Sequence, residues 1–186
     1  KDATIDVDVV DMNKDGYKDL IVANRNKQQN FIYLNNGKEE FSTKIPFGSG
    51  SDETRSLGVV DIDNDGVLDI ITANINEPNV IYFGNSEMSY QRKIVFDSSS
   101  SNSYSLDFGD INNNGNIDIV IGNSGEPNTV FLNSKKGTSW EKIILNKRDF
   151  FTYDIILSDL NNDQKLDIIE SNSDEINYYY LTLLKK

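Results

Sequence analysis

With 186 residues, 30 acidic against 18 basic side chains and a net charge of -12, the chain suits one domain or a short repeat array and has the wrong sign for nucleic acid or an anionic membrane. It contains no Cys and no His, which removes disulfides, thiolate and imidazole metal ligands, and the commonest general base near neutral pH. No apolar run approaches the roughly 20 residues of a membrane span, so membrane insertion is not expected.

A chain that opens on Lys1 is expected to have lost a leader peptide or to have been trimmed from a longer one. None of its 24 Asn residues sits in an Asn-x-Ser/Thr acceptor, so no N-glycosylation is expected. Short runs rich in β-branched and aromatic residues alternate with turn residues throughout, and helical periodicity is nowhere sustained. The first clear element is "DMNKDGYKDLIVAN" from Asp11, an acidic loop running into an apolar strand. It recurs as "DIDNDGVLDIITAN" from Asp61, "DINNNGNIDIVIGN" from Asp110 and "DLNNDQKLDIIESN" from Asp159, at spacings of 50, 49 and 49 residues. A fixed period of this length is the mark of a solenoid or propeller.

In the second copy, strands are expected near 56–60, 68–73, 79–83 and 90–95, separated by "DIDNDG", "NINEP" and "GNSEM". Four short strands per unit fit a propeller blade. The repeats divide at about 1–50, 51–99, 100–148 and 149–186 of a single domain; the last, ending "INYYYLTLLKK", is shorter, so its fourth strand is expected to be missing, supplied by another part of the molecule, or outside this sequence.

Each loop follows D-x-[DN]-x-[DN]-x-x-x-D. The side chains at positions 1, 3, 5 and 9 are Asp11, Asn13, Asp15 and Asp19; Asp61, Asp63, Asp65 and Asp69; Asp110, Asn112, Asn114 and Asp118; and Asp159, Asn161, Asp163 and Asp167. A loop curling around an ion turns alternate side chains inward, and the carbonyl of position 7 (Tyr17, Val67, Asn116, Lys165) joins them. All are hard oxygen donors, which select Ca²⁺, up to four ions in all. Crowded carboxylates otherwise repel one another or must stay fully solvated. On carboxylate count the second site is expected to be tightest and the third weakest. Glycine at position 6 permits the sharp reversal, whereas Gln164 makes the fourth loop doubtful on backbone grounds. Four Ca²⁺ would bring the net charge to about -4. An EF-hand starts with a similar pattern but needs a bidentate Glu at position 12 between helices. Here that position is Val22, Thr72, Ile121 or Glu170, inside an expected strand.

At these residues, and at "YLNNGKEEF" after the first loop, the chain resembles FG-GAP/VCBS repeats, the calcium-binding blades of integrin α-subunit heads and many secreted bacterial proteins. The resemblance implies an all-β propeller of four-stranded antiparallel blades, with metal loops joining the first and second strands. Four repeats favour a four-bladed ring; the alternative is a fragment or half of a larger seven- or eight-bladed ring, such as a homodimer would complete.

The turns between second and third strands are also in register, opened by Asn24, Asn74, Asn123 and Asn172 and closed by Asn30, Asn79, Asn128 and Asn177. They are expected to be backbone-capping turns. Arg55, Tyr104 and Tyr153 occupy equivalent positions just after the connections between blades, suited to anchoring a protein or stacking on a sugar. Phe41, Tyr90 and Trp140 recur in phase and are expected to fill space between blades. The function expected is a calcium-binding extracellular recognition or adhesion module, secreted or at the cell surface or in a bacterial periplasm, monomeric or homodimeric, with a protein or glycan ligand. The alternatives are a polysaccharide lyase or hydrolase using residues such as Tyr104, Tyr153, Arg55 and Glu126, or a structural scaffold; no catalytic constellation is recognisable.

Overall fold

The computed structural model describes residues 2–38 and 40–182; Glu39 of the YLNNGKEEF turn and the closing residues 183–186 of the fourth repeat lie outside them. Every regular element in them is a strand. The first sheet contains β1 (Thr4–Val10), β2 (Asp19–Asn24), β3 (Asn30–Leu34) and β4 (Thr43–Phe47). The second contains β5 (Thr54–Val60), β6 (Asp69–Asn74), β7 (Asn79–Phe83) and β8 (Arg92–Asp97). The third contains β9 (Ser103–Gly109), β10 (Asp118–Asn123), β11 (Thr129–Asn133) and β12 (Trp140–Ile144). The fourth has β13 (Thr152–Ser158), β14 (Asp167–Asn172) and β15 (Tyr178–Tyr180). Each is an antiparallel meander in chain order, so the chain is all-β with one sheet per repeat. The four strands expected in the second repeat are present, shifted by at most two residues.

The second strand of each sheet shows why these residues choose this fold. DIITAN and DIVIGN are buried along their whole length, and a strand covered on both faces reads as a continuous apolar run rather than an alternating one. Fourth strands are more exposed: in the first sheet Thr43, Lys44 and Pro46 face solvent while Phe47 is buried, and in the third every residue of β12 after Trp140 is exposed.

The chain divides into two compact units. One is the chain up to Asp61 with Asp65–Ser100, and the other is Ile62–Asn64 with the chain from Ser101. In the first, Met12, Ile21, Ala23, Ile32 and Phe47 of the first repeat pack on Leu57, Val59, Ile70, Val80, Tyr82 and Tyr90 of the second. In the other, Ile111, Val120 and Val130 pack on Ile155 and Ile168. Burying each such side chain contributes about 1.5–3 kcal/mol. Tyr90 fills space between sheets as expected; Phe41 and Trp140 are only half-buried.

Hydrogen bonds stitch the first strands together inside each unit. The Asp6 carboxylate accepts from the Ser56 hydroxyl (3.0 Å) and the Leu57 amide (2.9 Å), and Asp8 accepts from the Val59 amide (3.2 Å). In the second unit the acid and the alcohol change places. Ser105 donates to Asp154 (2.9 Å) and accepts from the Ile155 amide (3.2 Å), while Asp107 accepts from the Leu157 amide (2.7 Å).

The paired asparagines lock the turns after the second strands. Asn30, Asn79, Asn128 and Asn177 accept the amides of Asn24, Asn74, Asn123 and Asn172 at 2.7–2.8 Å. The opening Asn then donates to a carbonyl near the end of the turn. Asn128 does more: its amide also donates to Thr152 (2.9 Å) and to the fully buried Glu170 (2.7 Å). Asn128→Ala is therefore expected to cost about 3 kcal/mol, because a buried carboxylate loses a donor, against about 1 kcal/mol for Asn177→Ala at an exposed turn. Urea unfolding of the two variants checks this, and equal costs would show that the Asn128–Glu170 bridge carries no extra stability.

Candidate functional site

The four acidic loops share one backbone. Position 4 is left-handed in each, at Lys14 (φ 60°), Asn64 (56°), Asn113 (57°) and Asn162 (59°), and so is position 6, at Gly16 (92°), Gly66 (87°), Gly115 (84°) and Gln164 (65°). The position 1 carboxylate straddles the loop: one oxygen accepts the amide of position 5 and the other that of position 6, at 2.8–3.1 Å in every copy. The position 5 side chain accepts the amide of position 7 in each loop. Asn13, Asn112 and Asn161 at position 3 accept the amide of position 5. The side-chain oxygens at positions 1, 3 and 5 are thereby turned into the loop by its own amides.

The doubt that Gln164 casts on the fourth loop is corrected here. Gln164 adopts the left-handed conformation and closes the same bond to Asp159 at 2.9 Å. A non-glycine residue pays about 1–2 kcal/mol for this conformation, which the loop's bonds offset. Position 4 is the half of the double reversal that the sequence reading missed. Its signal was Asn at three of the four copies, the residue that best tolerates positive φ after Gly.

In the second loop, Asp61, Asp63 and Asp65 each offer an oxygen within 4.8 Å of the others. The position 9 carboxylates behave differently. Asp19, Asp69, Asp118 and Asp167 are buried, and one oxygen of each accepts an amide at the end of the third strand or just beyond it: Asn35, Gly84, Asn133 and Thr182, at 2.7–2.9 Å. The other oxygen of Asp19, Asp118 and Asp167 accepts the amide of position 2, at Met12, Ile111 and Leu160 respectively. Position 9 is thus a brace between two turns at one end of the sheet. Burial pushes the Asp118 carboxyl above its ordinary range, against the downward pull of the Asn133 and Ile111 amides.

Three lysines lie in these loops, Lys14, Lys18 and Lys165. Lys165 Nζ lies 3.2 Å from Asp163 in its own loop, and Lys14 donates to the Gly66 carbonyl. Glu170, the lone acid at position 12, is buried and accepts from Asn128 and Asn172. It lies within β14 rather than on a helix, which removes the EF-hand reading.

At the opposite end of the sheets, Arg55 and Tyr104, half-buried, and Tyr153, exposed, share one backbone irregularity. Each first strand slips register once, between Thr4 and Asp6, Thr54 and Ser56, Ser103 and Ser105, and Thr152 and Asp154. The residue skipped is Ile5, Arg55, Tyr104 or Tyr153, and a bulge of this kind re-aims its side chain. Tyr104 and Tyr153 meet edge to face with centroids 5.3 Å apart, and Tyr153 is 52% exposed. Glu126, by contrast, accepts the Asn102 amide (3.3 Å), as Glu77 accepts that of Glu53 (3.0 Å) and Gln28 that of Ala3 (2.7 Å). This recurring clip on the incoming strand accounts for Glu126 without chemistry.

Comparisons with known proteins agree with this geometry. In fold, the chain is similar to BBS1N, from a crystal structure in complex with ARL6DN, with a TM-score of 0.64 and 13% identity over 93% of this chain and 53% of that one. It is similar also to the V. cholerae biofilm matrix protein Bap1, with a TM-score of 0.53 and 17% identity over 97% of this chain and 31% of that one. The chain therefore spans about half the length of the first structure and a third of the second. No curated protein matches it. The model of the FG-GAP-like repeat matches three times in overlapping windows, residues 11–72, 61–121 and 110–170, each running from one acidic loop through the next, and the chain belongs to this repeat family.

Proposed function

We propose that the chain is a calcium-loaded extracellular recognition module, in which Ca²⁺ pins the four acidic loops and the bulge residues at the other end of the sheets engage a protein or glycan. The observation that carries this reading is the shared loop backbone, which turns oxygens of positions 1, 3 and 5 inward four times and brings three carboxylates together in the second loop. Such a donor set fits a hard divalent cation, and up to four Ca²⁺ would be held by the side chains of positions 1, 3 and 5, the carbonyl of position 7 and the second lone pairs of position 9. Millimolar extracellular calcium would keep sites of this class filled. The fold likeness to a biofilm matrix protein and to a domain crystallised with a protein partner is in keeping with a recognition role.

The loops are not equal. The second holds four carboxylates and the third two, and in the fourth the Lys165 ammonium occupies Asp163 and would have to be displaced. Calorimetric titration is expected to resolve the second site as the tightest, with Asp63→Asn weakening it about tenfold. Thermal unfolding in EDTA and in millimolar Ca²⁺ tests the reading as a whole. A site filled at a hundred times its Kd stabilises by about 2.7 kcal/mol, so several should raise Tm by many degrees, and an unchanged Tm would leave the loops as solvated turns.

Recognition has its own test. On immobilised glycan and protein arrays, Tyr153→Ala is expected to lose at least tenfold in capture while the calcium response of Tm stays intact. Capture unchanged in Tyr153→Ala and Tyr104→Ala would remove the bulge residues from the binding surface.

A further inference from the structure

Asn-Gly is the dipeptide at which a chain most readily loses a side-chain amide, because glycine leaves its backbone nitrogen unhindered and the asparagine carboxamide is one ring closure away from it. The sequence holds two such pairs, Asn36-Gly37 and Asn114-Gly115. Both lie in exposed turns with the glycine left-handed, at φ 78° and 84°, so residue type and exposure alone would give them equal fates. Their hydrogen bonds differ.

Asn114 and Gly115 are positions 5 and 6 of the third acidic loop. The Gly115 amide, which must lose its proton to attack, donates to the Asp110 carboxylate at 2.8 Å. An amide anion there would set two negative charges in contact, which raises the barrier. The Asn114 side chain is also tied down: its amide donates to the carbonyl of the wholly buried Asn133 (3.2 Å), and its oxygen accepts the Asn116 amide (2.8 Å).

Asn36 and Gly37 sit in the turn from β3 to β4. Here the Gly37 amide donates to a neutral oxygen, Oδ1 of Asn35 (2.9 Å). Asn36 Oδ1 accepts the Lys38 amide (2.9 Å), a donor placed where negative charge develops as the carboxamide is attacked. Asn36 Nδ2 donates to the carboxylate of the exposed Glu40 (2.7 Å). Exposed turns held by such bonds open at little cost in free energy, and opening lets the Asn36 carboxamide swing onto the Gly37 nitrogen.

We propose that Asn36 is a site of spontaneous deamidation and that Asn114, in the same dipeptide, is shielded by its loop. The Gly37 nitrogen gives up its proton and bonds to Asn36 Cγ; the Cγ–Nδ2 bond breaks, and the nitrogen leaves as ammonia with a proton replacing the one given up. Water then opens the succinimide at one of its two carbonyls, leaving aspartate or isoaspartate at position 36. Either product sets a carboxylate against Glu40 where a donor now stands. Isoaspartate also inserts a backbone carbon ahead of Gly37, which rests so closely on Tyr17 that a Cβ there would come within 2.5 Å of the ring. The modification therefore loosens the turn against position 7 of the first acidic loop. It requires neither calcium nor a ligand, so it is independent of the recognition reading.

The full 186-residue protein is aged with EDTA in mildly alkaline buffer, folded and in urea, and conversion at each asparagine is followed by peptide mapping with enzymatic detection of isoaspartate. In the folded protein position 36 is expected to convert at least about tenfold faster than position 114, and in urea the two rates should converge. Asp110→Asn should speed conversion at 114, and Asn36→Gln should abolish the signal at 36. Equal rates in the folded protein, no conversion at 36, or a rate ratio that survives in urea overturns the proposal. A rate at 114 indifferent to Asp110→Asn, with an unchanged circular dichroism spectrum, overturns the shielding.

Discussion

Each sheet of this protein depends on one buried carboxylate at the start of its second strand. Asp19, Asp69, Asp118 and Asp167 are almost wholly removed from water, an arrangement that costs several kcal/mol unless the charge is fully hydrogen-bonded. The backbone meets that demand with an amide at or just past the end of the third strand and, for Asp19, Asp118 and Asp167, the second amide of the acidic loop. Because one side chain serves two turns, the acidic loop cannot move without disturbing the turn beside it. The fixed distance from Asp at position 1 to Asp at position 9 follows from this, since the loop must close on its own amides before the strand begins.

From that anchor the rest of the sheet is ordered outward. The loop's left-handed residues turn polar oxygens inward, the second strand enters the apolar interior, and the Asn pair at its far end closes the next turn. Where two sheets share a core, hydrophobic burial presses them together and the bonds of Asp6, Asp8, Ser105 and Asp107 set their register. The exchange of Asp and Ser between the two units shows that the bond is what matters, since either strand can hold the carboxylate. Hydrophobic contact alone has no direction, so sheets stacked only by burial could slide.

The first strands carry the other compromise. Each must bond to a neighbouring strand and also lead out of a turn clipped, in three repeats, by Gln28, Glu77 or Glu126, and a bulge absorbs the extra residue. The residue left over is Ile5, Arg55, Tyr104 or Tyr153; Ile5 packs against the core, Arg55 and Tyr104 are half-buried, and Tyr153 is exposed.

The sequence by itself determined the repeat, the strand type and the spacing of Asp and Asn in the loops. Period, β-branched runs and the alternation of oxygen-bearing side chains are legible from residue order alone, because each is carried by near neighbours or by their recurrence. It also marked the Asn turns and the shorter fourth repeat. Tertiary structure alone decided what those residues touch: that position 9 is a brace, that Asn128 reaches Glu170, that Glu126 is a clip, and that Lys44, Lys93 and Lys142 stand over aromatics. These contacts join residues far apart in the chain, and separation in sequence carries no information about which of many carboxylates or rings a distant donor will meet. The fourth loop makes the same point from the other side. Gln164 is a poor local choice for positive φ, and it holds that conformation because the amides around it bond to Asp159 and Asp163.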